Sequence, residues 1–251
     1  MLPLLSVVEE CLRRLGVSLH DGCVLAVSGG RDSMLLLEFM ARLQPRLTAR
    51  LVVAHFHHQL RGADADADQK LVQTAAAARH LPIEIGTAPV KDRRRKGESI
   101  ESAARRLRHA FLARVARKHR CRFIATAHHG DDQVELFLLR LLRGAGGLGL
   151  GGMELVDPSP ADPGIHLVRP FLNLDSVALS SAAVELGVNW REDSSNRDPA
   201  FARNRIRHEL IPLLQRHYQP SLTRVLRRTA TLLEDQATAI EDLARRWLAE
   251  P

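Results

Sequence analysis

Five short runs rich in apolar and β-branched residues lie near Val24–Ser28, Arg50–Phe56, Ile83–Ala88, Arg122–Ala127 and His166–Arg169, and they alternate with longer stretches of helical spacing. No other feature constrains the fold as strongly. A strand, a helix and a second strand in succession give parallel neighbours with helices over the faces, so the chain reads as an α/β protein with a parallel sheet. Helices are expected around Leu4–Leu15, Met34–Leu43, Ala67–His80, Ile100–His119, Gln133–Arg143 and Ser176–Leu186, and as one long helix from Pro220 onward. Asp175 and Gly187 are the expected N-cap and C-terminal stop of the sixth. The stretch Asp157–Pro163 carries three prolines in seven residues and reads as a loop. No internal repeat stands out.

The first strand and helix are joined by Ser28-Gly29-Gly30-Arg31-Asp32-Ser33. Two glycines open backbone conformations closed to other residues and let a ligand come close. The turn aims unpaired N–H groups along the positive end of a helix dipole, where a phosphate is the natural occupant. A plain turn needs neither the two hydroxyls nor the carboxylate. The loop lacks the Lys of a Walker loop. A literal G-x-G-x-x-G at Gly144, Gly146 and Gly149 follows a helix, not a strand, and is rejected as a dinucleotide fingerprint.

Two further loops end predicted strands, where ligands of doubly wound sheets bind. One is His55-Phe56-His57-His58-Gln59-Leu60-Arg61. The other is Thr126-Ala127-His128-His129-Gly130-Asp131-Asp132-Gln133. A zinc reading lacks both the H-E-x-x-H spacing and a Cys partner. A hard cation held by carboxylates and nucleotide phosphates suits Asp32, Asp131 and Asp132 better. Those aspartates would also cap the following helix, which accounts for one carboxylate but not for the His pair.

Composition narrows the setting. The 251 residues are 45% hydrophobic, enough for one large domain or a domain with an appendage. A net charge of +7 favours polyanionic partners, while 4% aromatic content argues against base-stacking platforms. Cys11, Cys23 and Cys121 are dispersed, which fits a reducing cytoplasm and no metal knuckle. No apolar run reaches membrane-spanning length, so no membrane partner is expected. Lys91-Asp92-Arg93-Arg94-Arg95-Lys96 is a charge run that reads first as a solvated loop and second as a nucleic-acid contact.

The SGGRDS loop, set between strand and helix, resembles the signature of the N-type ATP pyrophosphatases, the PP-loop family. The segments HFHHQLR, ESAARRLRHAF, TAHHGDDQVELFLLRLLRGAG, LVRPFL and REDSSNRDPAFARNRIRHELIPLL occur in the order found among the tRNA(Ile)-lysidine synthetases of that family. The resemblance covers about Val24 to Leu214. It implies a Rossmann-like, doubly wound, five-stranded parallel sheet over residues 1–217. Residues 218–251 are then a C-terminal helical extension or a linker to a tRNA-binding domain.

The resemblance also implies a two-step ligase. ATP adenylates the wobble cytidine of an isoleucine tRNA, and free lysine then displaces AMP. On this reading ATP meets Ser28, Gly29, Gly30, Arg31, Asp32, Ser33, His55 and Phe56. Asp32 organises magnesium and phosphate, and Asp131 and Asp132 hold either magnesium or the lysine ammonium. His128 or His129 relays the amine proton, and Arg105 serves catalysis. Arg203, Asn204, Arg205 and Arg207 meet phosphate or tRNA. The family relationship leaves room for a homodimer. His57 stands where many members carry Asp, and Gln59 where Gly is common. Rival readings are a tRNA thiolase, which would want a catalytic Cys pair, a glutaminase-linked amidating enzyme, and a nucleotide sensor without turnover.

Overall fold

The computed structural model describes residues 3–14, 21–47, 50–59, 62–192, 198 and 201–249. Leu15, Leu60, Arg61 and most of the stretch 193–200, drawn into helix and motif expectations above, lie outside the described residues. The chain forms two compact units. Unit 1 comprises Met1–His128 and Leu155–Glu192, and unit 2 comprises His129–Glu154 and Asp193–Pro251.

In unit 1 the elements run α1 (Pro3–Arg14), β1 (Cys23–Ala26), α2 (Arg31–Leu47), β2 (Leu51–His57), α3 (Ala63–Ala77), β3 (Ile83–Thr87), α4 (Ile100–Lys118) and β4 (Phe123–Ala125). After an excursion into unit 2 come β5 (Val156–Ser159), β6 (Asp162–Val168) and α7 (Ser176–Glu185). The sheet order is β3-β2-β1-β4-β6-β5. The first five strands of that order are mutually parallel, as expected, and β5 adds an antiparallel edge. The order reverses between β1 and β4, so their C-terminal ends flank the switch point.

The strands form because they are apolar on both sides. Cys23 and Leu25 of β1, Leu51 and Val53 of β2, and Phe123 and Ala125 of β4 belong to one core with α1, α2, α3 and α7. Their alternate neighbours Val24, Val52, Ala54 and Ile124 belong to a second core with α4. That two-residue parity places helices on both faces. Phe39 and Phe171 meet edge-to-face at 5.7 Å in the first core. Each buried Leu there contributes roughly 1.5–3 kcal/mol.

The loop expected at Asp157–Pro163 is instead the hairpin of β5 and β6. Pro158 is tolerated because β5 is an edge strand, where a missing N–H costs no ladder bond. Asp175 does occupy the N-cap of α7 but makes no side-chain capping bond. Gly187 follows α7 at φ 62°, as a stop requires.

Unit 2 is helical. It contains α5 (Gly130–Leu142), α6 (Gly147–Leu150), α8 (Ala202–Arg205), a π-helical turn (Ile206–Leu210), α9 (Ile211–His217) and α10 (Leu222–Ala249). Pro212, near the start of α9, has no N–H to bond four residues back. The Ile211 N–H instead reaches the Ile206 carbonyl, which widens the turn. Val134, Leu138 and Ile206 form its buried core, with Leu139, Leu210, Ile211 and Leu226 packed on it. The long helix expected after Pro220 packs with α5 and α6 in this unit.

Candidate functional site

The Ser28–Ser33 loop leaves the C-terminal end of β1 and is closed on itself. The Ser28 N–H donates to Ser33 Oγ at 3.1 Å, and Ser33 Oγ–H donates to the Gly30 carbonyl at 2.8 Å. The two hydroxyl oxygens lie 3.0 Å apart. Ser33 therefore shapes the turn from inside, and the hydroxyl pair has a structural task as well as a candidate binding one. Arg31 and Asp32 pair at 2.9 Å, both about 30% exposed, at the first turn of α2. The Arg31 cation is thus beside a carboxylate on the loop.

Gly29 sits at φ 99°, and a Cβ there would lie 3.2 Å from Cβ of Asp68. Only glycine meets both conditions, so α3 approaches the loop closely. Asp68 itself is buried and accepts from Arg191 Nε at 2.9 Å. Arg191 Nη2 donates to Asp64 at 3.0 Å, and its backbone N–H donates to the Gly29 carbonyl at 3.1 Å. The segment after α7 is thereby tied to the Ser28–Ser33 loop. Sequence reasoning missed Asp64 and Asp68 and placed Arg191 only in a motif, because these partners lie more than a hundred residues apart.

At the end of β2, His55 is buried and its Nδ1 lies 2.9 Å from the Val27 carbonyl, a bond only a protonated Nδ1 can make. Phe56 packs on Phe111 with ring centroids 5.5 Å apart. His57 Nδ1 accepts from the Gln59 N–H at 3.1 Å, which leaves Nε2 as the donor to Asp66 at 3.1 Å. Gln59 holds φ 53°, the left-handed region that glycine enters without strain. At the end of β4, Thr126 Oγ1 and His128 Nδ1 share a hydrogen bond of 2.9 Å.

Arg105 is exposed on α4. One turn on lies His109, 3% exposed, with neither ring nitrogen hydrogen-bonded among the described residues. Burial first, and then the charges of Arg108, Arg105 and Arg169, push its pKa down to about 3. Arg169, buried just past β6, donates from Nη1 to Asp157 at 2.5 Å. The sequence reading did not single out His109, although a His among arginines in the RRLRHAF segment is the visible signal.

In unit 2, His129 is the N-cap of α5. Its Nδ1 accepts from the Asp131 N–H at 3.3 Å, while Asp132 Oδ2 accepts from the His129 N–H at 2.9 Å. Capping thus does involve one of the two histidines, against the expectation that it explains neither. Asp132 is buried, and its Oδ1 takes Arg203 Nη2 at 2.5 Å and Arg207 Nη2 at 3.4 Å. Glu135, 1% exposed, accepts from Arg203 Nε at 2.6 Å and also from Arg207 Nε. Two buried carboxylates are thus balanced by two guanidinium forks.

Arg203 and Arg207, expected to meet phosphate or tRNA, place their forks on the buried carboxylates and remain about one third exposed. Asn204 Nδ2 donates to the Asp198 carbonyl at 2.9 Å, and Arg205 is exposed. Asp131 is half-buried and its carboxylate makes no hydrogen bond or ion pair among the described residues. Glu135 was missed from sequence, although a Glu three residues after Asp132 on an otherwise apolar helix is a legible signal.

No group of three His, Cys, Asp or Glu is arranged to hold a metal among the described residues. Magnesium needs only one or two carboxylates when nucleotide phosphates complete its shell, and the partly exposed Asp32 is a hard oxygen donor of that kind. No described helix is long and apolar enough to cross a membrane.

The PP-loop domain family matches residues 5–214. The chain is 42% identical to a tRNA(Ile)-lysidine synthase of Geobacter sulfurreducens over 91% of its length, which is 47% of that protein. It is 35% identical to the tRNA(Ile)-lysidine synthase of Rhodopirellula baltica over 94% of its length and 62% of that protein. For that of Bacillus subtilis the figures are 33%, 91% and 48%. The chain thus spans about half the length of most of these curated relatives.

Among solved structures, it resembles the U34-tRNA thiolase NcsA from Methanococcus maripaludis, with TM-score 0.70 and 15% identity over 91% of this chain and 80% of that one. It also resembles the NMN synthetase from Francisella tularensis, with TM-score 0.52 and 10% identity over 93% and 96%. At those identities the likeness concerns the fold alone. With the strand, glycine turn and helix in place and the family match running through both units, the chain belongs to the PP-loop domain family.

Proposed function

We propose that this chain performs the ATP-dependent ligation of free lysine onto the wobble cytidine of an isoleucine tRNA, through an adenylated cytidine. The observation that carries the reading is the closed Ser28–Ser33 loop at the sheet's switch point. Relatives named tRNA(Ile)-lysidine synthase, aligned over about nine tenths of the chain, supply the substrate class.

A cytosine carbonyl is a poor electrophile. In the first step its oxygen attacks the α-phosphate of ATP, the α–β bond breaks, and pyrophosphate leaves with the bonding pair. Negative charge grows on the β–γ unit, opposite the first N–H groups of α2, which have no partner within the helix. Asp32, with Asp131 as the second candidate, would hold magnesium, which when bound neutralises that charge. In the second step the lysine amine attacks the activated ring carbon and AMP departs. The amine loses a proton, for which His128 and His129 are the nearest candidates in sequence to the acidic pair. Asp131 is the carboxylate best able to receive a cation, because Asp132 already serves the cap and the arginines.

The test is pyrophosphate release. It should require ATP, magnesium and isoleucine tRNA together, and Asp32→Asn should lower it by about a hundredfold or more without unfolding the protein. Near-normal release by Asp32→Asn, or release that ignores tRNA, contradicts the proposal.

A further inference from the structure

We infer that the loop of residues 88–99 is a preformed seat for the sugar-phosphate backbone of the substrate RNA. This rests on the reading of a tRNA substrate and adds a surface outside the nucleotide loop. Because β3 runs parallel to β2, and β2 to β1, the loop leaves the same C-terminal end of the sheet as the Ser28–Ser33 turn. It then enters α4, the helix that carries Arg105, through the N-cap Ser99.

The loop is built rather than loose. Ala88 and Val90 are buried and anchor its base. At its far end Glu98 accepts from Arg106 Nε at 2.9 Å, from Arg106 Nη2 at 2.8 Å and from the Arg95 N–H at 2.9 Å. Arg106 Nη2 also donates to the Arg93 carbonyl at 2.9 Å, and Arg94 Nε to the Glu98 carbonyl at 2.8 Å. Residues 91–97 are all exposed. Five of them are cations, and Asp92 is the only acid.

Glu98 is neutralised by Arg106, so it does not cancel the run. Lys91, Arg93 and Lys96 make no side-chain bond among the described residues and project from a fixed backbone. Binding at such a seat orders side chains but not the backbone. The run holds no aromatic or large apolar side chain, which removes base stacking and makes a lipid surface a poor partner. What remains is contact with phosphates, which positions an RNA without reading its sequence.

The decisive variant is Lys91→Gln/Arg93→Gln/Lys96→Gln, which removes three cations and leaves the Glu98 latch untouched. Affinity is measured from about 50 to about 200 mM salt for isoleucine tRNA and for a non-cognate tRNA. ATP binding reports the integrity of the fold, and binding to vesicles rich in phosphatidylserine is followed in parallel. The expected result is a loss of about tenfold or more at low salt, equal for both RNAs, with a salt slope shallower by about 2 and ATP binding unchanged.

Unchanged affinity and slope, in a protein whose wild type binds tRNA, overturn the seat alone. A loss confined to one RNA overturns its backbone character. A loss of vesicle binding with RNA binding intact assigns the loop to a membrane surface and overturns it too. A wild type that binds ATP but no tRNA removes both the seat and the proposed function. Should the triple variant fail to bind ATP, Lys91→Gln/Lys96→Gln is read by the same criteria.

Discussion

Arg203 and Asp132, 71 residues apart in sequence, are joined at 2.5 Å between Nη2 and Oδ1. The other oxygen of the same carboxylate closes the N-terminus of α5. Asp132 therefore does two structural jobs, whereas its neighbour Asp131 does neither with its side chain. Asp132→Ala should destabilise the protein by about 1–3 kcal/mol, because it opens the capping box of α5 and leaves Arg203 and Arg207 with Glu135 alone. Asp131→Asn should change stability by no more than about 0.5 kcal/mol and yet depress lysidine formation. Denaturant unfolding beside AMP release and lysidine yield checks both. Equal stability losses would erase the distinction, and full activity of Asp131→Asn would remove that residue from the chemistry.

His109 carries a pH prediction. Its ordinary pKa of 6.5 is pushed down to about 3 in the folded protein. The unfolded chain thus binds the extra proton across that window, and stability rises with pH there. The contribution is complete above 6.5 and is lost as pH falls toward 3. Carboxylates held low by arginine, such as Glu38 and Asp162, add their own loss of the same sign only below their ordinary values of 4.5 and 3.8. Between pH 4.5 and 6.5 His109 adds up to about 1.4 kcal/mol per pH unit to the slope. Unfolding free energies across that window should show this slope in the wild type and a flatter line in His109→Leu. Parallel lines would contradict it.

Gly86, on β3, is required by packing. A Cβ there would stand 2.5 Å from the ring of Phe111. Gly86→Ala should cost about 1–3 kcal/mol, and Phe111→Leu in the same chain should return part of it. Additive losses in the double variant would show that the two positions do not share the strain.

The parallel strands were legible because both of their faces are apolar, and Gly29 because the turn needs φ 99° and room for Asp68. The β5–β6 hairpin was not, since Pro158 reads as loop until its place at the sheet edge is known. His129 as a cap was hidden as well, because Ser, Thr, Asp and Asn are the usual caps. The Arg191–Asp68 and Arg203–Glu135 pairs are products of tertiary folding, spaced by 123 and 68 residues, and no local pattern announces them. Arg203 and Arg207 read in sequence as a basic cluster, and their pairing with Asp132 and Glu135 is visible only in the fold.

Nucleoside analysis of isoleucine tRNA, after incubation with the protein, ATP, magnesium and lysine, decides whether the chain makes lysidine. Lysidine should replace the wobble cytidine only when all four are present, and in step with AMP release. Consumption of ATP with the cytidine left intact at every lysine concentration would contradict it.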